Sequence, residues 1–594
     1  MPGWNDYVSE KHADARSTFL DWVIAGKPRF GILFDSMKKS RAQFKLALRY
    51  CRQNEATLRA NAQANSLTAK DYSSFWKHIS KASNKNACKY ANVIDGCTGD
   101  DAIADRWRDF YEQLYNDTSV NEEENNAVKN DFYNRLNGTP MSDFVISVNN
   151  VIELCGLQKH GKSPGPDGIS MEAITFACPS LYVHLCMLYN LFLKCGHLPN
   201  VFMHSVIVPL VKNKSSNLSD LNNYRAIAIS NVVSKLFESL LAQAIHSSSE
   251  YDNYQFGFKH GHSTGLCTHV LKETIEYYRN HGSHVFTCFV DFSKAFDKVN
   301  YWKLFRKLLD DNINARIIHI LAFWYSRQEC FVRWRNSVST CFRLGNGTRQ
   351  GSVLSPYLFS RYIRDMIKSI ADTGIGCAIN NKLINILAYA DDIVLIAPSW
   401  RALQILITVL QSNAKDINMT FNTEKTVAMI FAPKDRHWIV KTEFPQFKMD
   451  NSYISFVTQF KYLGHIISNN GSDNQDIQRE IRNMFTRTNI LRRKFASCSF
   501  NVKKILFKSY CMCFYDIALW SSFTIALLSK IRSCYNKCVK LFFGYRRFDS
   551  LTTTLLETGL PSFDTVLYNC KKKFEICLVT NTNLLVKCFC VFCV

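Results

Sequence analysis

The sequence predicts an α+β fold, and four stretches of the chain indicate it. Residues 284–299, HVFTCFVDFSKAFDKV, begin with the apolar run of a buried strand and end in residues compatible with a helix. Residues 384–396 fit a strand, a tight turn and a second strand, and strand resumes near 427–431. Between these strands, residues 399–414 fit an amphipathic helix capped by Ser399. Its apolar face is predicted to consist of Leu403, Leu406, Ile407, Leu410 and Ala414.

Length and charge indicate several domains and a polyanionic partner. A chain of 594 residues is too long for one simple core, and its 47% hydrophobic content excludes a largely disordered protein. The 72 Lys and Arg against 50 Asp and Glu give a formal charge of +22, which favours nucleic acid over a membrane surface. The excess is concentrated, because residues 1–90 hold 16 basic against 7 acidic residues and residues 471–550 hold 15 against 5.

The 22 cysteines are scattered through apolar stretches without the regular spacing of a disulfide framework. We therefore expect reduced thiols in an intracellular protein. The tail KCFCVFCV (587–594) has enough cysteine for a zinc site, but it lacks a His partner and a second ligand pair, so zinc is the less favoured interpretation. No apolar run reaches 18 residues, and we expect no membrane span.

Two adjacent carboxylates, Asp391 and Asp392, interrupt the apolar stretch LAYADDIVLI (387–396). The ordinary explanation is a surface hairpin with an Asp-Asp turn. However, Asp291 ends the buried strand of FVDF, and a neighbouring position in the same sheet would bring it to the hairpin tip. Three carboxylates at one sheet edge would repel each other unless cations bound there. Two divalent ions would relieve that repulsion, and two-metal sites perform phosphoryl transfer.

These residues carry a family resemblance. AYADD (388–392) resembles the Tyr-x-Asp-Asp box of reverse transcriptases, and VDFSKAFDKV (290–299) resembles the partner box of non-long-terminal-repeat (LINE-type) retrotransposon enzymes. Six further stretches match that family in the family's order: KSPGPDGI (162–169), NNYRAIAISNVVSKLFE (222–238), YQFGFKHGHSTGLC (254–267), GTRQGSVLSPYLF (347–359), FNTEKT (421–426) and FKYLGHIIS (460–468). Eight boxes in one order are far more specific than any single box.

The resemblance implies a right-hand polymerase fold of fingers, palm and thumb, and an RNA-directed DNA polymerase activity. On this basis the chain is expected to divide into four segments. Residues 1–150 would be a helical, basic N-terminal extension or linker, and 151–470 the fingers and palm. Residues 471–550 would be a helical, thumb-like region, and 551–594 a C-terminal tail that we interpret as truncated or frameshifted.

The resemblance also assigns roles to the acidic cluster. Asp291 and Asp391 would be metal ligands, and Asp392 would be the third carboxylate of the site. The expected cofactor is Mg²⁺, as two ions, for which Mn²⁺ can substitute. Phe296 stands at the position of the family's sugar gate, where an aromatic ring collides with a 2′-hydroxyl and so selects deoxynucleotides. The alternative for Phe296 is a core phenylalanine.

Other positions would contact nucleotide and primer. Arg225 would bind the incoming triphosphate, because a guanidinium offers paired donors to phosphate oxygens, although Ala226 stands where the family commonly has Pro. Lys425 would lie near the same triphosphate and could protonate the leaving pyrophosphate. The remaining expected contacts are Gln350 and Gly351 against the nucleotide and templating base, and Tyr462, Leu463 and Gly464 as the primer grip.

The implied partners are an RNA template, a DNA primer and deoxynucleoside triphosphates, with the A-form RNA–DNA heteroduplex recognised through its backbone. Nuclear action is an expectation from the family, and the oligomeric state is open. Relatives commonly carry an endonuclease ahead of the polymerase, but the residues before KSPGPDGI show no metallonuclease set, so we interpret the chain as a fragment or decayed copy. Two alternatives therefore stay open: a decayed or domesticated copy that binds nucleic acid without turnover, and an intron-maturase-like RNA-binding protein.

Overall fold

The computed structural model describes residues 6–55, 91–116, 122–246, 253–435 and 443–589, with isolated residues between 57 and 71 and at 437 and 439. The described chain contains both helices and strands, which confirms the mixed α and β class. It groups into two compact units. The first unit comprises 1–86 and 473–574, and the second comprises 87–472 and 575–594. The four functional segments expected from the sequence stay a prediction.

The helices are numbered in chain order. They are α1 (Asp6–Ile24), α2 (Ile32–Gln53), α3 (Asp100–Tyr115), α4 (Glu122–Gly138), α5 (Val148–Leu157), α6 (Met171–Thr175), α7 (Ser180–Cys195), α8 (Asn200–Met203), α9 (Val232–His246), α10 (Thr264–Asn280), α11 (Tyr301–Asp310), α12 (Ala315–Tyr325), α13 (Ser355–Ala371), α14 (Trp400–Asp416), α15 (Asn474–Phe495), α16 (Phe500–Tyr510), α17 (Ile525–Phe543), α18 (Leu551–Thr558), α19 (Phe563–Thr580) and α20 (Leu584–Lys587). Short 3₁₀ turns lie at Leu221–Asn223, Ala295–Lys298 and Ile517–Leu519.

The strands of the described residues all lie in the second unit. They are β1 (Val93–Ile94), β2 (Cys97–Thr98), β3 (His204–Val211), β4 (Tyr224–Ser230), β5 (Val285–Val290), β6 (Glu329–Trp334), β7 (Ser337–Val338), β8 (Phe342–Arg343), β9 (Cys377–Ile379), β10 (Lys382–Ile384), β11 (Ile386–Tyr389), β12 (Asp392–Ala397), β13 (Val427–Phe431), β14 (Phe447–Met449), β15 (Ser452–Phe456), β16 (Gln459–Tyr462) and β17 (His465–Ser468).

A six-stranded central sheet has the order β11-β12-β5-β13-β15-β14. Strand β5 runs antiparallel to both β12 and β13, and all six of its residues are buried, as its Val, Phe, Thr and Cys composition predicts. The expected strands at 384–396 and 427–431 are confirmed as the β11–β12 hairpin and β13. Helix α14 is also confirmed, because Ser399 Oγ accepts from the Ala402 N–H and the five predicted apolar residues are buried.

A second sheet holds β4 next to β3, followed by β6 and β7, with β8 also on β6. Strands β3 and β4 are antiparallel over seven residue pairs, and Leu210 pairs with Arg225. One face of this sheet packs against α3 through the buried rings of Trp107, Tyr224 and Trp334. This packing fixes the backbone that carries Arg225.

The first unit is helical in its described residues. Helices α1 and α2 pack against each other and lie inside the stretch predicted to be helical. Helices α15, α16 and α17 enclose a separate apolar core that includes Met484, Phe507 and Tyr535. The basic residues that end α15, Arg492, Arg493 and Lys494, are exposed.

The C-terminal residues after α19 belong to the second unit. Leu585 and Val586 are buried, and the Asn583 side chain donates to the Asn253 carbonyl oxygen over 2.9 Å. Residues 590–594, which include part of the cysteine-rich tail, lie outside the described residues. The described cysteines are free thiols. None of the helices in the described ranges combines the length and the apolar character needed to span a bilayer.

Candidate active site

Three acidic side chains meet at one edge of the central sheet. Asp291 directly follows β5, and Asp392 begins β12, one residue before Ile393 pairs with Val290. Tyr389 pairs with Asp392, so Ala390 and Asp391 form the two-residue loop of the β11–β12 hairpin. The structure therefore brings together the three carboxylates that the sequence places at a strand end and a hairpin tip.

The acidic cluster raises the pKa of its own members. Burial raises the pKa of Asp391, and the charge of Asp291 raises it further, whereas the charge of Arg225 lowers it. Desolvation by the surrounding protein, together with the charges of Asp391 and Asp291, raises the pKa of Asp392 to about 6. Among the described residues, no Lys or Arg forms an ion pair with any of the three carboxylates. The cluster is therefore a site of uncompensated negative charge that a cation would stabilise.

The cluster fits an open metal site. In the described ranges no group of three or more His, Cys, Asp or Glu side chains is placed to hold a metal ion by itself, so the three carboxylates do not form a protein cage for one. Mg²⁺ at phosphate-transfer sites, however, is bound by one or two carboxylates together with substrate phosphates and water, without such a cage. Asp291 and Asp391 could supply those carboxylates, and Asp392 would add negative charge beside them.

The raised pKa of Asp392 predicts a pH-dependent stability. A carboxyl whose pKa is higher in the folded than in the unfolded protein lowers stability as pH rises from its usual value of 3.8 through about 6. Asp392→Asn removes this charge, so without divalent ions its apparent Tm should exceed that of the wild type at pH 8. The difference should vanish near pH 4, where the native Asp is itself protonated. A Tm difference that is the same at both pH values would contradict the electrostatic origin.

The FNTEKT stretch is hydrogen-bonded to the strand end that carries Asp291. The Asp291 N–H donates to Thr426 Oγ1 over 3.2 Å, and the Asp291 carbonyl oxygen accepts from the Asn422 N–H over 2.8 Å. The Ser293 N–H also donates to the Thr420 carbonyl oxygen over 2.9 Å. These bonds hold the loop that presents the exposed side chain of Lys425.

Three cations, Lys212, Arg225 and Lys425, lie close to one another in this part of the protein. Burial lowers the pKa of Lys212, and the charges of Lys425 and then Arg225 lower it further, so the three cations lie close enough to repel one another. Lys212 directly follows β3, and its Nζ donates to the Asn222 carbonyl oxygen over 2.9 Å. A polyanion would relieve this repulsion. The sequence analysis missed Lys212, because nothing in the polar stretch around it distinguishes one lysine from its neighbours.

Gln350 and Gly351 lie against β4. The Gln350 carbonyl oxygen accepts from the Ala228 N–H over 2.8 Å. Gly351 has φ +116°, and a Cβ atom there would lie 2.6 Å from the Ala228 carbonyl oxygen, so this close approach requires glycine. The Gln350 amide donates over 3.5 Å to the carboxylate of Asp297, whose pKa burial raises to about 6. The Tyr115 hydroxyl donates to the same carboxylate over 3.1 Å.

Phe296 is half-buried. Its ring stacks on Phe359 with 4.2 Å between centroids, and Phe258 meets it edge-on at 6.3 Å. Its carbonyl oxygen accepts from the Thr348 N–H over 2.7 Å. Packing thus fixes one side of the ring and leaves part of it accessible, which is compatible with both interpretations of this residue.

The expected primer-grip residues form the β16–β17 hairpin. Tyr462 is only 2% exposed, and its ring lies beside Phe289 with 5.3 Å between centroids. Leu463 and Gly464 form the two-residue turn, both with positive φ. The structure therefore places the Tyr462 side chain in the interior and leaves the Leu463–Gly464 turn partly accessible. Their role at a primer stays a prediction.

Comparison with known proteins identifies the region that carries this site. Residues 211–467 match the family described as "Reverse transcriptase (RNA-dependent DNA polymerase)". That range includes the three carboxylates, the cations Lys212, Arg225 and Lys425, and the glutamine–glycine pair.

Three relatives are similar over longer stretches. The chain is 24% identical over 461 residues to "RNA-directed DNA polymerase from mobile element jockey" of Drosophila funebris, which covers 74% of this chain and 49% of the relative. It is 26% identical over 320 residues to "Retrovirus-related Pol polyprotein from type-1 retrotransposable element R2" of Popillia japonica. That alignment covers 52% of this chain and 43% of the relative. It is 24% identical over 411 residues to "Probable RNA-directed DNA polymerase from transposon BS" of Drosophila melanogaster. That alignment covers 66% of this chain and 44% of the relative. The chain thus spans about half or less of each of these relatives.

Proposed function

We propose that the protein is an RNA-directed DNA polymerase of a non-long-terminal-repeat retrotransposon, because residues 211–467 match the reverse transcriptase family and the chain is similar to polymerases of such elements. It would add deoxynucleotides to a DNA primer on an RNA template. The observation that carries the proposal is the site itself, in which three carboxylates at a sheet edge stand near a group of cations within the matched domain. Acidic and basic groups in this arrangement suit a nucleoside triphosphate bound with divalent cations.

The acidic residues would hold the metal ions. Asp291 and Asp391 would bind two divalent ions, for which we propose Mg²⁺ with Mn²⁺ as a substitute, and Asp392 would strengthen the local negative potential. The chemistry that such ions supply is activation of the primer hydroxyl and stabilisation of the leaving oxygen. The raised pKa values of Asp391 and Asp392 support this assignment, because a bound cation would offset both the burial and the mutual repulsion that raise them.

The basic residues would hold the triphosphate. Arg225 can donate two parallel hydrogen bonds to phosphate oxygens, and Lys212 and Lys425 would act as point charges on either side. Lys425 could also donate a proton to the departing pyrophosphate. The backbone of Gly351 would allow close approach of the nucleotide, and Phe296 would lie under its sugar.

The proposal extends to the right-hand architecture. Residues 151–470 would provide fingers and palm, with the palm built on the central sheet. Residues 471–550 would act as the thumb, and 1–150 as an N-terminal extension. The helical, basic character of α2 and α15 supports phosphate contacts for both flanking segments.

Primer extension tests the proposal directly. Purified protein, an RNA template with an annealed DNA primer, deoxynucleotides and Mg²⁺ should give extended primer, and a chelator in excess over Mg²⁺ should abolish extension. No extension with either Mg²⁺ or Mn²⁺, despite measurable binding of the primer–template, would instead support the alternative of a copy that binds nucleic acid without turnover. The exposed basic residues at the end of α15 favour that alternative as the second candidate.

The basic flanks predict a steep salt dependence of primer–template binding. Each neutralised phosphate contributes about 0.7–0.9 to the slope of log affinity against log salt. Exchanging Arg492, Arg493 and Lys494 for Glu should therefore reduce the slope by about 2 to 3, if each cation contacts one phosphate. Fluorescence anisotropy with a labelled primer–template across a salt series measures this change.

A second charge reversal, of two cations instead of three, controls for most of the change in net charge. Lys368 and Lys415 are also exposed in the last turns of helices, α13 and α14. Lys368→Glu with Lys415→Glu should leave the slope nearly unchanged. Equal slopes for all three proteins would mean that the α15 cations are only a solvated surface.

A further inference from the structure

The loop that carries Asp391 has an unfavourable backbone conformation. Ala390, the first loop residue, has φ +58°, in the left-handed region that side chains other than glycine rarely adopt. Ala390 is also buried, so its N–H and C=O need partners within the protein. The loop therefore depends on contacts outside the hairpin to keep the conformation that places Asp391.

One side chain supplies those contacts. Gln255 is 2% exposed, and its Oε1 accepts from the Ala390 N–H over 2.9 Å. Its Nε2 donates to the Ala390 carbonyl oxygen over 3.3 Å. The same Oε1 accepts from the Gly257 N–H over 2.8 Å, which fixes the orientation of the amide. A single glutamine thus satisfies both backbone groups of the strained residue.

The backbone around Gln255 adds rigidity. The Phe256 N–H donates to the Ala388 carbonyl oxygen over 2.7 Å, and the Ala388 N–H donates to the Tyr254 carbonyl oxygen over 2.9 Å. A Cβ atom at Gly257 would collide with the Ala390 nitrogen, so this segment can approach the loop only with glycine there. Residues 254–257 therefore run as an extra edge segment beside β11 and end against the hairpin loop.

We propose that Gln255 is a positioning residue for catalysis, whose amide holds the Ala390–Asp391 turn and thereby fixes the Asp391 carboxylate relative to Asp291. The proposal rests on the polymerase function proposed above. It gives the YQFGF stretch a specific role, because the glutamine binds the loop and the glycine allows the approach. Gln255 does not act on substrate and works only through the loop.

Gln255→Met tests the role with little change in side-chain volume, because methionine fills a similar space and cannot replace the hydrogen bonds. The chain offers a matched control in Gln404. Its amide accepts from the Lys448 N–H and donates to the Lys448 carbonyl oxygen, both over 2.9 Å, next to the far edge strand β14. Gln404→Met removes a comparable pair of bonds far from the acidic loop within the same sheet.

Hydrogen exchange followed by mass spectrometry measures how readily the backbone of the turn opens, and it requires neither metal nor substrate. The amides of residues 390–392 should exchange at least about tenfold faster in Gln255→Met than in the wild type, and at the wild-type rate in Gln404→Met. In single-nucleotide insertion, kcat should fall about 10- to 100-fold in Gln255→Met, since small displacements of reacting groups cost this much. Primer–template affinity should change by less than about twofold, because the basic flanks that would contact its phosphates are unchanged.

Ala390→Gly provides a rescue that a merely structural role would not show. Glycine adopts positive φ without strain, so adding Ala390→Gly to Gln255→Met should recover at least about threefold in kcat. If Gln255→Met does not fold, Gln255→Asn, which keeps an amide one methylene shorter, gives the same comparison.

Several outcomes would overturn the proposal. These are unchanged exchange at 390–392 in Gln255→Met, an equal effect of Gln404→Met, or no recovery on adding Ala390→Gly. A wild-type protein that cannot extend primers would refute the proposed function instead, and the exchange comparison would still decide whether Gln255 holds the turn.

Discussion

Asp391→Asn is expected to reduce primer extension at least about 100-fold, since even a change in a residue that only supports a metal ligand typically costs 10- to 100-fold. Asparagine has nearly the same size as aspartate and removes one negative charge from a site where the carboxylates already repel one another. The variant should therefore fold at least as well as the wild type, and its loss of rate should come from weaker metal binding. Affinity for the primer–template should stay within about twofold, because the basic flanks are unchanged.

A matched aspartate lies in another hairpin of the same sheet. Asp450 is the first residue of the two-residue turn between β14 and β15, where it has a positive φ as Ala390 does, and its carboxylate accepts from the Gln411 amide over 2.8 Å. Asp450→Asn makes the same chemical change in the same kind of turn, and extension should continue near the wild-type rate. Single-turnover extension across a series of Mg²⁺ concentrations measures all three proteins. Equal rates for Asp391→Asn and the wild type would rule out Asp391 as a metal ligand.

Local patterns were sufficient to predict the acidic edge of the sheet. The apolar run before Asp291 and the strand–turn–strand pattern around Asp391 each specify a strand with its carboxylate at one end. Helix α14 followed from the same kind of information, since its cap and its apolar face both lie within one continuous segment. These features depend on residues close together in sequence, which is why periodicity and turn chemistry were enough.

Contacts between distant segments were not predictable in this way. Lys212 reaches the cations Arg225 and Lys425 only because β3 pairs with β4 and a separate loop is bonded next to Asp291. Gln255 lies 135 residues before the alanine that it holds. Tyr462 was predicted from a motif, but the motif does not reveal that its ring packs against Phe289 of β5. In each case the side chain's surroundings are set by tertiary packing, which a single sequence does not show.

Phe296→Val should raise the efficiency of ribonucleotide insertion relative to deoxynucleotide insertion at least about tenfold, equivalent to about 1.4 kcal/mol of lost discrimination. The stack on Phe359 holds one side of the ring, so the ring is rigid enough to exclude a 2′-hydroxyl on its accessible side. Valine would open that space. If Phe296 serves only in the core, the substitution should instead cost about 1–3 kcal/mol of stability and reduce both insertions alike.

The ratio of ribonucleotide to deoxynucleotide insertion is measured within one variant. A loss of folded protein lowers both efficiencies equally and therefore does not change the ratio. Phe292 provides the matched control, because it belongs to the same DFSKAFD stretch but is buried and packs on Phe421 with 5.1 Å between centroids. Phe292→Val should lower overall activity through packing and leave the ratio of ribonucleotide to deoxynucleotide insertion unchanged. Single-nucleotide insertion opposite a defined template base supplies both efficiencies for each protein. An unchanged ratio in Phe296→Val would assign Phe296 to the core. It would also weaken the match of the whole DFSKAFD stretch to the family's partner box, since the sugar gate is the most specific role that the match implies.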